Sequence, residues 1–305
     1  MYTVLVYDIH SFWIVNSVFW SPMVAAKKSK PRSRAKSSLA HATESITHED
    51  VMQASARIDP DLRRRSQLLW EDRSRPTRGP KPALTPDDVV KAAIEIADEE
   101  GLAALTMQAV SSKLGFTTMA VYRYFPNKEA LFDAIVDAGL GLPPQPPVPR
   151  GDWRAELTQW AHAKRAMLIA RPWLAELPFV AAPHGPNWLA WLEAVVDSLS
   201  ATSLNEADKG QMLSILDGYT RGASDTSVSL ARARARGISE KEWAAAVGAD
   251  LGRAIGDPRF PKFAALITAP SDGRGRTLEE SFDFGLQRVL DGIELYIKSG
   301  TSPES

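Results

Sequence analysis

Residues 106–128, TMQAVSSKLGFTTMAVYRYFPNK, constrain this chain more than any other stretch. They read as two short helices joined by a tight turn, followed by the start of a third. Thr106 stands at an N-cap position, where its hydroxyl can accept from the free N–H groups of a first helix over 107–114. Val110 and Leu114 fall four apart and share one face of it. Gly115 reaches the left-handed conformation that ends a helix without steric cost. Thr117 then caps a second helix, expected over 118–125. Pro126 stops that helix, because proline lacks the N–H and restricts its predecessor, and Asn127 caps the next. Helix, glycine turn, helix is the architecture that lays its second helix in the DNA major groove.

The second helix has side chains suited to that task. Thr117, Thr118 and Met119 form its first turn, where hydroxyls can bond to bases and a methionine can meet a thymine methyl. Tyr122 follows Thr118 by four, on the same face. Arg123, Tyr124 and Lys128 are placed to reach phosphates, and Val121 points back to the preceding helix. Taken alone, the pattern also fits an ordinary helical hairpin with its aromatics in a core.

The flanks narrow the choice. Thr85-Pro86-Asp87-Asp88 is a helix start with a cap, proline at the first position and Asp88 in the capping-box place. Val89, Val90, Ala93, Ile94 and Ala97 give a helical apolar stripe that Gly101 ends. After Asn127, KEALFDAIVDAGL is helical with Leu131, Ile135 and Ala138 on one face. The proline run over 141–149 reads as a stiff linker. A DNA-binding unit over 84–144 is the expectation.

At this point a family resemblance is visible. Residues 84–140 resemble the DNA-binding domain of the TetR-type (TetR/AcrR) transcriptional regulators in the EEG turn, the LT opening of the second helix, the LG turn, the VYRYF core and the NK-x-x-L entry to the last helix. The resemblance implies a helix-turn-helix head, an all-helical ligand-binding C-terminal domain, and a homodimer on double-stranded palindromic DNA. It implies base-edge contacts from Gln108, Thr118 and Met119, with Ala120 close by, and backbone contacts from Tyr122, Tyr124 and Lys128. The founding repressor carries an arginine and a glutamine where Gln108 and Thr118 stand here, so the resemblance carries the docking mode and not the operator sequence. Thr106, Gln108, Thr117, Thr118, Met119, Tyr122, Arg123, Tyr124 and Lys128 are the candidate DNA-binding residues of the head.

Charge supports a polyanion partner near the N-terminus. The net charge of −1 hides 14 Lys/Arg against 7 Asp/Glu over residues 21–85, and 22 against 29 from residue 86 onward. Residues 1–83 read as an extension, mostly disordered. Residues 1–26 are aromatic and β-branched with one charge, Asp8, and Lys27 and Lys28 follow. A signal peptide carries its positive charge before the apolar run. His10, Ser11, Asn16, Ser17, Ser21 and Pro22 interrupt the roughly 20 apolar residues a membrane span needs. A poorly ordered segment or an upstream start, with Met23 or Met52 as the true one, is expected instead. The basic run over 27–36 is either a solvated tail or a nucleic-acid contact. A weak helix is expected around 61–70. Arg73, Arg75, Arg78 and Lys81 lie in an extended Pro/Gly segment just before the first regular helix, which suits an arm along the minor groove or phosphates; Arg75 and Arg78 join the candidate contacts. A plain linker is the alternative.

Residues 151–300 read as helices over 153–170, 187–199, 205–236, 239–255 and 277–298, which makes the fold class all-α. The long stripe of the last helix (Phe282, Leu286, Val289, Leu290, Ile293, Ile297) calls for a partner, and the 205–236 helix is its companion in a dimer seam; packing within its own chain is the alternative. A twofold dimer spaces two recognition helices about 34 Å apart, one DNA turn. Trp160, Trp188, Trp191 and Tyr219 are candidate ligand-binding residues, since aromatics with one polar edge line apolar cavities; each also suits a core. The chain has no cysteine, and its five histidines are scattered. No metal, cofactor or catalytic constellation is expected, so an enzyme is disfavoured. The leading reading is a cytoplasmic repressor released from its operator by a small apolar or amphipathic ligand. A membrane-tethered or ligand-independent DNA-binding protein of the same fold is the alternative.

Overall fold

The computed structural model describes residues 60–70, 83–145, 151–176, 184–269 and 276–300. Among them every regular element is helical, with eleven α-helices and two short 3-10 turns. The all-α expectation holds.

The helical head is built on caps. α2 (Pro86–Glu100) opens on a reciprocal box: Asp88 donates its backbone N–H to the Thr85 hydroxyl at 3.2 Å, and Thr85 donates its own to the Asp88 carboxylate at 2.9 Å. α3 (Met107–Leu114) starts where Ala109 N–H meets the Thr106 hydroxyl at 3.0 Å. It ends at Gly115, whose φ of 72° lies in the left-handed region. α4 (Thr118–Tyr122) is shorter than expected. Phe125 still donates to the Val121 carbonyl at 3.0 Å, but Pro126 keeps it out of regular helical geometry and its ring turns into the core, 2% exposed. α5 (Lys128–Leu140) is capped by Asn127, which accepts from Ala130 N–H at 2.8 Å. Val89, Ala93, Leu105, Val110, Val121, Leu131 and Ile135 fill the space between these helices. Each of the valine, leucine and isoleucine side chains contributes roughly 1.5–3 kcal/mol by leaving water.

An additional helix, α1 (Pro60–Trp70), lies along α5. The weak helix expected at 61–70 therefore forms. It is held: Leu69 is buried, and Arg65 grips the buried Asp133 through two hydrogen bonds of 2.6 and 2.8 Å. The remainder of the basic extension, including Arg75 and Arg78, lies outside the described residues.

The C-terminal domain comprises α6 (Trp153–Ala170), α7 (Pro186–Leu199), α8 (Glu206–Ala235), α9 (Glu240–Gly252), α10 (Pro261–Thr268) and α11 (Leu278–Ser299), with a 3-10 turn at Pro172–Glu176 between α6 and α7. Five of these match the expected helices within a few residues. α9 stops at Gly252 rather than residue 255, and α10 was not expected. The apolar stripe of α11 finds its partners inside this chain. Phe282, Leu286, Leu290 and Ile293 pack with Leu157, Trp160, Val195 and Leu216 from α6, α7 and α8. The face left outside carries Phe284 and Leu295, 47% and 71% exposed, and on α8 Ile215 is 50% exposed.

Head and body share one core. Trp173 and Leu174 of the 3-10 turn and Leu168 of α6 belong to the same buried cluster as α2 and α5. Trp173 donates its indole N–H to Asp98 at 2.6 Å, and Arg171 donates to the Gly139 carbonyl at 3.1 Å. The Trp173 ring lies so close to Gly139 that a Cβ there would sit 2.7 Å from it. Asp137 of α5 reaches the start of α7, where the backbone N–H groups of Asn187 and Trp188 donate to its carboxylate at 3.4 and 3.0 Å.

Candidate nucleic-acid interface

The tip of the head exposes a contiguous set of the expected contacts. Met119 is 75% exposed and Tyr122 41%, and Thr106, Gln108, Thr117, Arg123 and Lys128 are also exposed. Val121, one helical step away, is fully buried, so α4 has the two faces a groove-reading helix needs. Thr106 has two roles open to it: its oxygen accepts the cap bond, which leaves its hydroxyl proton to donate. The cations of this face are Arg123 and Lys128, because Lys113 of α3 turns back to Glu95 and Glu99 at 3.3 and 3.2 Å.

Three expectations change in detail. Thr117 occupies the N-cap of α4 but makes no side-chain cap bond. Thr118 is half-buried, its hydroxyl 3.3 Å from that of Ser111, so its oxygen faces the turn as much as the surface. Tyr124 is half-buried too, and its hydroxyl donates to the Leu84 carbonyl at 2.5 Å. A phosphate oxygen accepts and cannot donate, so Tyr124 as placed here spends its proton on the scaffold instead. Its role becomes one of position: it ties residue 84, where the basic segment enters the head, to the end of the recognition helix. Phe116 is 38% exposed beside the turn.

The four aromatic ligand candidates differ in their settings. Trp160 is buried and donates to the Trp191 carbonyl at 2.8 Å; Trp191 is buried and donates to the Gly141 carbonyl at 3.0 Å. Trp188 lies against His184, ring centroids 3.8 Å apart, and Tyr219 donates to the Phe282 carbonyl at 2.6 Å. Burial pushes the Tyr219 phenol up to about 12. The polar edges of Trp160, Trp191 and Tyr219 are thus spent on backbone, as buried aromatics require. Of the four, Trp160 does line a pocket of about 200 Å³ between α6, α7 and Pro143–Pro144, shared with Glu156, Glu193 and Asp197. A second pocket, about 400 Å³, opens between α6, α8 and the start of α11 beside Arg165, Ile169, Leu230 and Glu279, with none of the four in its wall. Among the described residues no cluster of His, Asp or Glu could hold a metal, and no helix is long and apolar enough to cross a membrane.

A two-faced short helix, set by a left-handed glycine turn against a capped scaffold and joined to a helical body, defines a helix-turn-helix DNA-binding regulator. Residues 89–135 match the model for bacterial regulatory proteins of the tetR family, and residues 144–297 that for the tetracyclin repressor-like C-terminal domain. The chain belongs to the TetR family. It is 35% identical over 240 residues to the HTH-type transcriptional repressor DrrR1 of Streptomyces coeruleorubidus, covering 78% of this chain and 87% of that protein. It is 27% identical over 212 residues to the class A tetracycline repressor protein from transposon 1721 in Escherichia coli, covering 69% and 90%. Its fold is similar to that of the Streptomyces coelicolor TetR family protein ActR in complex with actinorhodin, with a TM-score of 0.57 and 23% identity over 74% of this chain and 100% of that one.

Proposed function

We propose that the protein is a cytoplasmic transcriptional repressor that binds a palindromic operator as a homodimer and leaves it when a small amphipathic molecule enters the C-terminal domain. The observation that carries this reading is the exposed set Gln108, Met119, Tyr122 and Lys128 on the capped helical head. Gln108, Thr118 and Met119 read base edges; Thr106, Thr117, Tyr122, Arg123 and Lys128 hold phosphates and sugars. The relatives named as repressors, and the ActR neighbour bound to actinorhodin, support repression relieved by a ligand.

Dimerisation rests on the outer faces of α8 and α11, where Ile215, Phe284 and Leu295 remain exposed. Ligand entry at the pocket beside Trp160 requires opening, because about 200 Å³ is below the 300–1,000 Å³ range of small-molecule sites. The contacts of Asp137 with α7 and of Trp173 with Asp98 carry any such opening to the head. A ligand then acts by binding the released state more tightly than the operator-bound one.

The test is selection of bound duplexes from a random pool by the purified full chain, followed by footprinting. A twofold-symmetric protected site with half-sites about one helical turn apart is expected. Protection without symmetry, or none, overturns the reading.

A further inference from the structure

α1 lies before the residues that match either family model, which begin at 89. It is nonetheless fixed in the structure by contacts at both ends and in the middle. Asp61 accepts a hydrogen bond from the Asn127 side chain at 3.0 Å, Arg65 grips Asp133, and Trp70 donates to the His184 carbonyl at 3.2 Å. Asn127 is the cap of α5 and the neighbour of Lys128, so the first turn of α1 stands at the DNA-facing end of the head. That turn carries Arg63 and Arg64, both exposed. Arg64 follows Asp61 by three and lies toward the same side of the helix. Asp133 is fixed to Arg65 by two bonds.

We propose that α1 is a second DNA-contacting element, which places Arg63 and Arg64 on backbone phosphates adjoining those that Lys128 meets. This rests on the DNA-docking reading above and adds to it a surface outside the helix-turn-helix. Guanidinium groups on phosphates add affinity and salt dependence without base preference. The Arg65–Asp133 pair is the fastening that keeps α1 on α5: Asp133 is a buried carboxylate that gains a partner only if α1 is docked.

The test measures operator affinity of the full chain against salt for R63A/R64A, R65A, K128A and the parent. For R63A/R64A the slope of log K against log salt falls by about one to two ions, base preference is unchanged, and protection flanking the half-site is lost from the footprint. R65A lowers the slope by the same amount, and adding it to R63A/R64A lowers it no further. Both arginines are exposed, so the double variant keeps its fold, which its melting curve checks. An unchanged slope for R63A/R64A, with K128A lowered, overturns the α1 contact and leaves the docking reading standing. An unchanged slope for K128A as well overturns both. Loss in R63A/R64A but not in R65A overturns the fastening role of Arg65.

Discussion

The carboxylate of Asp137, in the last turn of α5, occupies the space that Gly185 leaves open at the start of α7. Trp188 N–H donates to it at 3.0 Å, and a Cβ on Gly185 would lie 2.3 Å from its Cγ. A side chain of the head therefore caps a helix of the body. Replacing Asp137 by Ala removes the cap and is expected to cost about 1–2 kcal/mol in urea unfolding. Gly185→Ala drives the carboxylate away and gives a comparable loss. Both variants keep the base preference of the parent in duplex selection but respond less to an effector. Unchanged stability in both contradicts the capping role.

Tyr124→Phe removes one hydrogen bond, from the phenol to the Leu84 carbonyl, and keeps the ring in its half-buried place. A loss of about 1 kcal/mol in stability is expected. If the tether also fixes the entry of the basic segment, operator affinity falls at every sequence alike. Phosphate contact by the hydroxyl would instead lower affinity with stability intact.

Side chains on α3 and α4 divide into readers and holders. Gln108→Ala and Met119→Ala are expected to alter the selected operator at one position each, by about 1–3 kcal/mol of discrimination for a hydrogen-bonded base pair and less for the methionine. Tyr122→Ala and Lys128→Ala weaken binding to all sequences, and Lys128→Ala lowers the salt slope by about one ion. Thr118→Ala has a smaller effect than Gln108→Ala, because its hydroxyl already faces Ser111.

The body holds a buried ion pair, Lys164 on α6 with Asp217 on α8, each side chain 6% exposed. Burial pulls the Lys164 ammonium below its ordinary value, against the attraction of Asp217. Lys164→Met leaves a carboxylate buried alone and is expected to cost about 3–5 kcal/mol, read by urea unfolding. K164M/D217L recovers most of that loss. A single variant as stable as the parent would mean that water or another cation reaches Asp217.

The capping box of α11 gives a pH signature. Thr277 donates its backbone N–H to Glu280 at 2.7 Å, and this bond, with the hydroxyl behind it, holds the carboxyl below its ordinary 4.5. A folded-state value below the unfolded one means the stabilisation is complete above pH 4.5 and is lost as the pH falls through the folded value. Glu280→Gln is therefore expected to flatten that part of the acid limb in a urea titration. An acid limb identical to the parent's would remove the box from the account.

The head was legible in the sequence because its signals are local. Thr85, Thr106 and Asn127 all cap the helices they announce, and Gly115 adopts the positive φ its position demanded. α4 was drawn too long because Phe125 fits a helical period, and only the core behind it shows that its ring leaves the helix line. What was harder to read was longer in range. The α11 stripe is covered on one face by α6, α7 and α8, while its outer face keeps Phe284 and Leu295 exposed. Tyr124, Trp160 and Trp191 look identical on paper to surface or ligand aromatics; a carbonyl brought from residues 84, 191 or 141 decides their fate. α10 was passed over although Pro261 marks its start, because eight residues give too few turns for a periodic pattern.

The joint between head and body bears on the building of hybrid regulators. Asp98, Asp137 and Gly139 belong to the head, and each meets a specific group of the body: the Trp173 indole, the α7 amides and the Trp173 ring. A foreign head grafted onto this body would recognise its own DNA whatever residues it carried at those three places. Under the proposed ligand response, it would obey an effector bound by the body only if it brought two aspartates and a glycine with it.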